Sequence, residues 1–330
     1  KVTRRVGAES VFDLETVLSG SRLDRLNDLL GVGLPPLGPY LFDASLRIEG
    51  GTGTFHDVLL QVEDSILRGE MVFSVAEAED GGSEPTFSLD TTLDAETIQL
   101  DNFPILDWLD PADVVKPRAQ QTERPAEARA GDGGASFRDF FDPAIARRLS
   151  GSLEVRVGEV LSGSDRLGGG LLRATLHDGL YSLEAFQVDF PGGALKAQAA
   201  FRPGPDRTAA RLAVQMERMD YGVLIRRVAP ASDLKGELNL GVELRAEADT
   251  PGDLKNHLNG FFRLGVSPED YRSGVIDLWA VNVLTSALPV LTKSSTSEIN
   301  CLAGNFVLEE SVLRPETFFL DTSRIRAIGR

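Results

Sequence analysis

Residues 234–249 read LKGELNLGVELRAEAD, and their alternation decides the fold. Leu238, Leu240, Val242, Leu244, Ala246 and Ala248 fall on one side; Glu237, Asn239, Glu243, Arg245, Glu247 and Asp249 fall on the other. Successive strand side chains point to opposite faces, so a period of two predicts a β-strand with one wet and one dry face. Each fully buried Leu or Val contributes about 1.5–3 kcal/mol, so the dry row must be covered by another sheet, a helix or a bound apolar molecule.

The same pattern returns along the chain. It places Leu67, Met71, Phe73 and Val75 together, then Phe87, Leu89 and Leu93, then Leu153, Val155 and Val157, then Leu195, Ala197, Ala199 and Phe201. Strands with one polar face and turns rich in Gly, Pro and Asp predict a mainly β chain of antiparallel strands. The order of pieces repeats between residues 56–102 and 179–225, and a third copy begins near Ser311. A spacing of roughly 45 residues suits a repeat architecture in which neighbours bury one another's dry faces.

Three helices are expected to interrupt the strands: one at 21–31 with Ser21 as cap, one near 136–149 that opens at Ser136 and is divided by Pro143, and one at 267–291 that starts at Ser267-Pro268. The last carries Leu278, Val281, Leu284 and Leu288 on one face, with Trp279 packed beneath it, and could plug or cap a sheet. Residues 111–135 combine Pro, Ala, Glu, Arg and Gly without periodicity and read as a loop or disordered insertion. This divides the chain into a first β-repeat region at 1–110, the insertion, and a second and third at 136–330. Lys1 and Arg330 both fall where a strand is expected to continue, so a longer parent chain is expected.

Composition narrows the chemistry. The 330 residues are 42% hydrophobic, enough for a real core. Against 50 Asp and Glu stand 34 Lys and Arg, and the formal charge of -16 repels nucleic acid phosphates and anionic lipid headgroups alike. No run of apolar residues is long enough for a membrane-spanning helix, and the first residues lack the apolar core of a signal peptide. Cys301 is the single cysteine and reads as a small buried hydrophobe, while His56, His177 and His257 are scattered, so no metal or cofactor is expected. Gly31 and Gly33 read as a helix stop and Gly168 to Gly170 as a flexible turn, since neither set has phosphate-binding spacing. No nucleophile elbow or metalloprotease motif is present. Paired acids such as Glu309 and Glu310 carry little weight among so many, and no catalytic residue is expected.

Several stretches resemble a known family. LSGSRLDRLNDLLGVGLPPLGPY at 18–40, the Ile299-Asn300-Cys301 triplet, and the Leu320-Asp321-Thr322 step leading to Gly329 are similar to the C-terminal region of AsmA-like proteins of the Gram-negative envelope, relatives of TamB and YhdP. Ser311 departs from the family's usual Gly before Val. The resemblance implies a periplasmic protein, tethered to the inner membrane and concerned with outer-membrane biogenesis, whose sheet folds into an apolar trough for phospholipid. It also implies that membrane contact comes through parts of the parent chain outside this sequence.

Physical chemistry is compatible with that expectation. Roughly a dozen strands at about 4.8 Å spacing form a sheet too wide to stay flat, and each acyl CH₂ leaving water gains about 0.8 kcal/mol. The expected fold is therefore an elongated, curled antiparallel sheet, a groove built from repeats with a few short helices. Its expected lipid-facing residues are Leu238, Leu240, Val242, Leu244, Leu195, Ala197, Phe201, Val155, Val157, Leu89 and Phe73. The alternation alone equally describes a closed β-sandwich, a non-enzymatic scaffold that binds other envelope proteins.

Overall fold

The computed structural model describes residues 2–5, 11–26, 37–76, 85–103, 141–222, 235–269, 299–322 and 326–329. The chain is mainly β. Its strands are β1 (Val2–Arg5), β2 (Val11–Gly20), β3 (Tyr40–Glu49), β4 (Thr52–Val62), β5 (Ser65–Ala76), β6 (Thr86–Gln99), β7 (Leu149–Ser162) and β8 (Asp165–His177). There follow β9 (Leu180–Phe190), β10 (Gly193–Arg202), β11 (Thr208–Asp220), β12 (Lys235–Ala248), β13 (Asn259–Glu269), β14 (Ile299–Glu309), β15 (Val312–Thr322) and β16 (Arg326–Gly329). Hydrogen-bonded neighbours follow chain order from β1 to β16, so the sheet is open. Two compact units divide it: unit 1 comprises Lys1–Val188 with Gln198–Ala209, and unit 2 comprises Asp189–Ala197 with Ala210–Arg330.

Six of the fifteen connections between strands are two-residue turns. Gly50 and Gly51, Asp178 and Gly179, and Glu310 and Ser311 each have positive φ at both positions, the conformation whose twist matches that of flanking strands. Residues 56–102 fall on β4, β5, β6 and the 3₁₀ turn Leu100–Asn102, and residues 179–225 include β9, β10 and β11.

One ladder departs from the antiparallel expectation. β6 and β7 pair in parallel, Leu93 beside Val155 and Ala95 beside Val157. A parallel pair requires a crossover of a dozen or more residues, and the chain between Gln99 and Leu149 provides it. The expected insertion at 111–135 belongs to this connection and lies outside the described residues.

The helices differ from expectation. Ser267 and Pro268 belong to β13, where they pair with Glu237 and Gly236, so the expected helix start there is overturned by ladder pairing; residues 270–298 lie outside the described set. Pro143 opens the single turn α1 (Pro143–Ala146), whose Ala144 N–H donates to Asp142 Oδ1 at 2.7 Å, and residues 136–140 of the helix expected near 136–149 lie outside the described set. Proline suits that position because its missing N–H would be unpaired anyway. At 21–31 the described part is a 3₁₀ turn, Leu23–Leu26, and residues 27–36 lie outside the described set. Gly168 to Gly170 do not form a turn but lie within β8.

Unit 1 packs its core on one face of consecutive strands. Ala44, Val58, Leu67, Leu93, Ala95 and Val155 come from β3 to β7 and are 1–8% exposed. The half-buried residues packed on them, among them Phe42, Phe55, Leu60, Met71 and Leu172, come from β3, β4, β5 and β8. Side chains on one face reach such burial against their own neighbours only where the sheet curls toward that face.

Candidate apolar groove

Register sets which side chains line up across the curled face. In unit 1 one row runs Leu14, Leu46, Phe55, Met71, Thr91, Leu153, Ala174 and Leu183, one residue from each strand from β2 to β9. A second runs Leu18, Phe42, Leu60, Leu67, Ala95, Val157, Gly170 and Val188. A third runs Phe12, Ile48, Gly53, Phe73, Leu89, Gly151, Leu176 and Tyr181. No charged residue occupies any of these positions.

The rows are fitted closely. Phe42 and Phe55 meet edge to face with ring centroids 5.6 Å apart, and Phe55 and Phe73 lie at 5.8 Å. A Cβ on Gly53 would lie 2.2 Å from the Phe73 ring, so that ring rests on the glycine's bare backbone. At the β8–β9 end, Phe141 just before α1 packs on Tyr181 at 5.1 Å and on Phe201 at 5.7 Å. Burial there, with Asp142 nearby, pushes the Tyr181 phenol up to about 12.

The opposite face of unit 1 is ionic. Arg173 Nε donates to Glu154 Oε2 at 3.1 Å, Arg156 also pairs with Glu154, and Arg156 reaches Asp94 across the parallel ladder at 3.6 Å. Ser152 Oγ donates to Asp90 Oδ1 at 2.5 Å across the same ladder. The Arg173 hydrogen bond holds the Glu154 carboxyl below its ordinary range.

Unit 2 repeats the arrangement. Leu240, Leu264, Gly304 and Phe318 form one row across β12 to β15, and Leu238, Val266, Leu302, Leu320 and Ala327 form another that reaches β16. Val242 pairs with Phe262, whose ring lies 6.0 Å from that of Phe306. At one end of these strands, Glu310 N donates to Asn259 Oδ1 at 3.1 Å and Ser311 Oγ donates to the Lys255 carbonyl at 2.6 Å. These bonds pin the Glu310-Ser311 turn. Hydrogen bonds from Asn259 and His257 keep the Glu310 carboxyl below its ordinary range.

The residues expected to face lipid divide between the units. Phe73 and Leu89 are direct cross-strand partners, Val155 and Val157 lie on the same face, and Phe201 joins the aromatic cluster, all in unit 1. Leu238, Leu240, Val242 and Leu244 share one half-buried face in unit 2, which also contains the half-buried Leu195 and Ala197. Phe12, Leu14 and Phe42 were not among the expected residues, although VFDLETVLS at 11–19 and YLFDASLRI at 40–48 carry the same period-two signal. Among the described residues, no group of three or more His, Cys, Asp or Glu is placed to hold a metal ion, and no helix is long and apolar enough to cross a membrane.

An open, curled sheet with one charge-free face crossed by apolar rows defines the class of fold. Comparison with known proteins narrows it. The chain is similar to AsmA family protein YhjG of Escherichia coli (strain K12), 21% identical over 321 residues that cover 94% of this chain and 45% of that protein. This match supports an AsmA-like family, as the stretches at both ends of the chain imply. The chain thus spans about half the length of the curated relative it matches. No family model matches it, and no solved structure matches it significantly.

Proposed function

We propose that this chain holds lipid acyl chains on its apolar sheet face, as part of an AsmA-like protein of the Gram-negative envelope. In this reading the parent protein is periplasmic, tethered to the inner membrane, and binds or conducts phospholipid between the inner and outer membranes without catalysing a reaction. The observation that carries it is the set of charge-free rows running unbroken from β2 to β9. Hydrocarbon needs no polar partner, so a site for it consists of apolar area alone and leaves no sequence motif.

The test is organic extraction of the mildly purified protein, with the extract identified by mass spectrometry against a boiled and refolded control. Stoichiometric phospholipid in the native sample alone is the expected result. Protein free of lipid, with the rows inaccessible to apolar dyes, would instead favour a closed scaffold that binds other envelope proteins.

A further inference from the structure

The apolar face of unit 1 is not equally covered along its strands. On β5, Ser65 and Leu67 at one end are 0% and 6% exposed, whereas Val75 at the other is 41% exposed. On β6, Ala95 and Leu93 are 7% and 5% exposed, whereas Leu89 and Phe87 are 46% and 41% exposed. Both strands have hydrogen-bonded neighbours on each side, so a free sheet edge does not account for the gradient.

The buried margin is closed by specific contacts. Tyr40, 7% exposed, pairs with Val62, the Glu63 N–H donates to the Pro39 carbonyl at 2.9 Å, and Leu37, 8% exposed, accepts from the Leu23 N–H at 2.7 Å. Gln99 N donates to Ser65 Oγ at 3.1 Å, and Gly163 N donates to Asp101 Oδ2 at 2.7 Å. The other margin, where Val75, Phe87 and Leu89 stand, leaves large side chains in water.

Resting on the lipid reading above, we infer that acyl chains enter unit 1 from the Val75–Phe87–Leu89 margin. The lipid's polar group stays in water there, and its methyl end points toward Leu60 and Val62. Two arguments fix this occupant and its direction. The strand backbone is committed to ladders and the rows carry no charge, so an extended peptide laid on this face would leave its own N–H and C=O groups unmet, whereas a hydrocarbon has none to satisfy. A headgroup buried among Leu60, Leu67 and Leu93 would lose its water without gaining partners, so it remains at the margin that is wet.

Depth-dependent fluorescence quenching tests the direction. In a chain carrying Trp108→Phe and Trp279→Phe, a single tryptophan is introduced as Leu89→Trp or as Leu60→Trp. Each protein is mixed with phosphatidylcholine vesicles brominated either near the headgroup or near the methyl end of the acyl chain. Leu89→Trp should be quenched more strongly by the headgroup-proximal bromine and Leu60→Trp more strongly by the methyl-proximal one. The same ratio at both sites, or the reverse order, overturns entry from this margin while leaving lipid binding intact. Absence of quenching at both sites overturns the lipid reading itself. If Leu89→Trp loses β-structure by circular dichroism, Val75→Trp reports on the same margin.

Discussion

Val58 and Leu93 of unit 1 and Leu240 of unit 2 belong to the same alternation but are buried to different depths. In unit 1 the dry face reaches 1% exposure at Val58 and 5% at Leu93, while in unit 2 Leu238, Leu240, Val242 and Leu244 are all half-buried. The side chains are alike in size and hydrophobicity, so composition does not set the difference. Packing does: Val58 and Leu93 belong to one cluster with Ala44, Leu67, Ala95 and Val155, whose side chains remove one another from water. Both kinds of position occur in each unit: Ala246, Ala248 and Leu302 of unit 2 are 4–8% exposed, and Phe87 and Leu89 of unit 1 are 41% and 46% exposed.

Charge insertion gives the widest separation. Val58→Asp should destabilise unit 1 by about 3–5 kcal/mol, because an unpaired carboxylate would be left in a buried site. Leu240→Asp should cost about 1–2 kcal/mol, since its carboxylate can reach water, with the far-ultraviolet spectrum retained and lipid retention reduced. Urea unfolding followed by circular dichroism measures both, and equal losses would show that the two faces are equally closed.

Truncation should separate them less. Leu93→Ala should cost about 2–5 kcal/mol through lost transfer energy and the cavity left behind. Leu240→Ala should fall below that range, because part of the side chain is already hydrated. Thermal unfolding of the two variants provides the comparison.

The smallest effect is electrostatic. Glu154 in unit 1 and Glu310 in unit 2 both have carboxyl values lowered from an ordinary 4.5. A lowered folded value means that their contribution is fully present above 4.5 and is lost as pH falls through the folded value. Glu154→Gln should flatten the pH dependence of unfolding on the acid side of 4.5, and Glu310→Gln should do so as well; added salt should shrink the effect more at Glu310, 69% exposed, than at Glu154, 21% exposed. An unchanged acid limb in Glu154→Gln would show that the Arg173 pair contributes nothing to stability.

Much of the fold is legible in the sequence because period two is a local signal. β12 can be read directly from residues 235–248, and the polar face of each strand follows from the same pattern. Strand direction and register are not local. Alternation is identical in parallel and antiparallel strands, so nothing in TFSLDTTL shows that Leu93 will lie beside Val155 in parallel. The helix start expected at Ser267-Pro268 is displaced for the opposite reason: the start signal is real, but pairing with β12 outweighs it at these two residues. The apolar face was legible strand by strand, whereas its rows depend on register, and its unequal margins depend on Pro39 and Tyr40 folding back beside Val62 and Glu63.

The parallel β6–β7 ladder also bears on how the chain folds. It joins Phe87 to Leu149, whereas β4 to β5, β7 to β8 and β8 to β9 close through two-residue hairpins. Closing so long a loop costs entropy before any contact repays it. The meanders β2–β6 and β7–β9 should accordingly assemble first and independently, and their union should set the rate of folding. Until that late step the hydrophobic edges of β6 and β7 stay open, so this junction is where association with another chain competes most directly with folding.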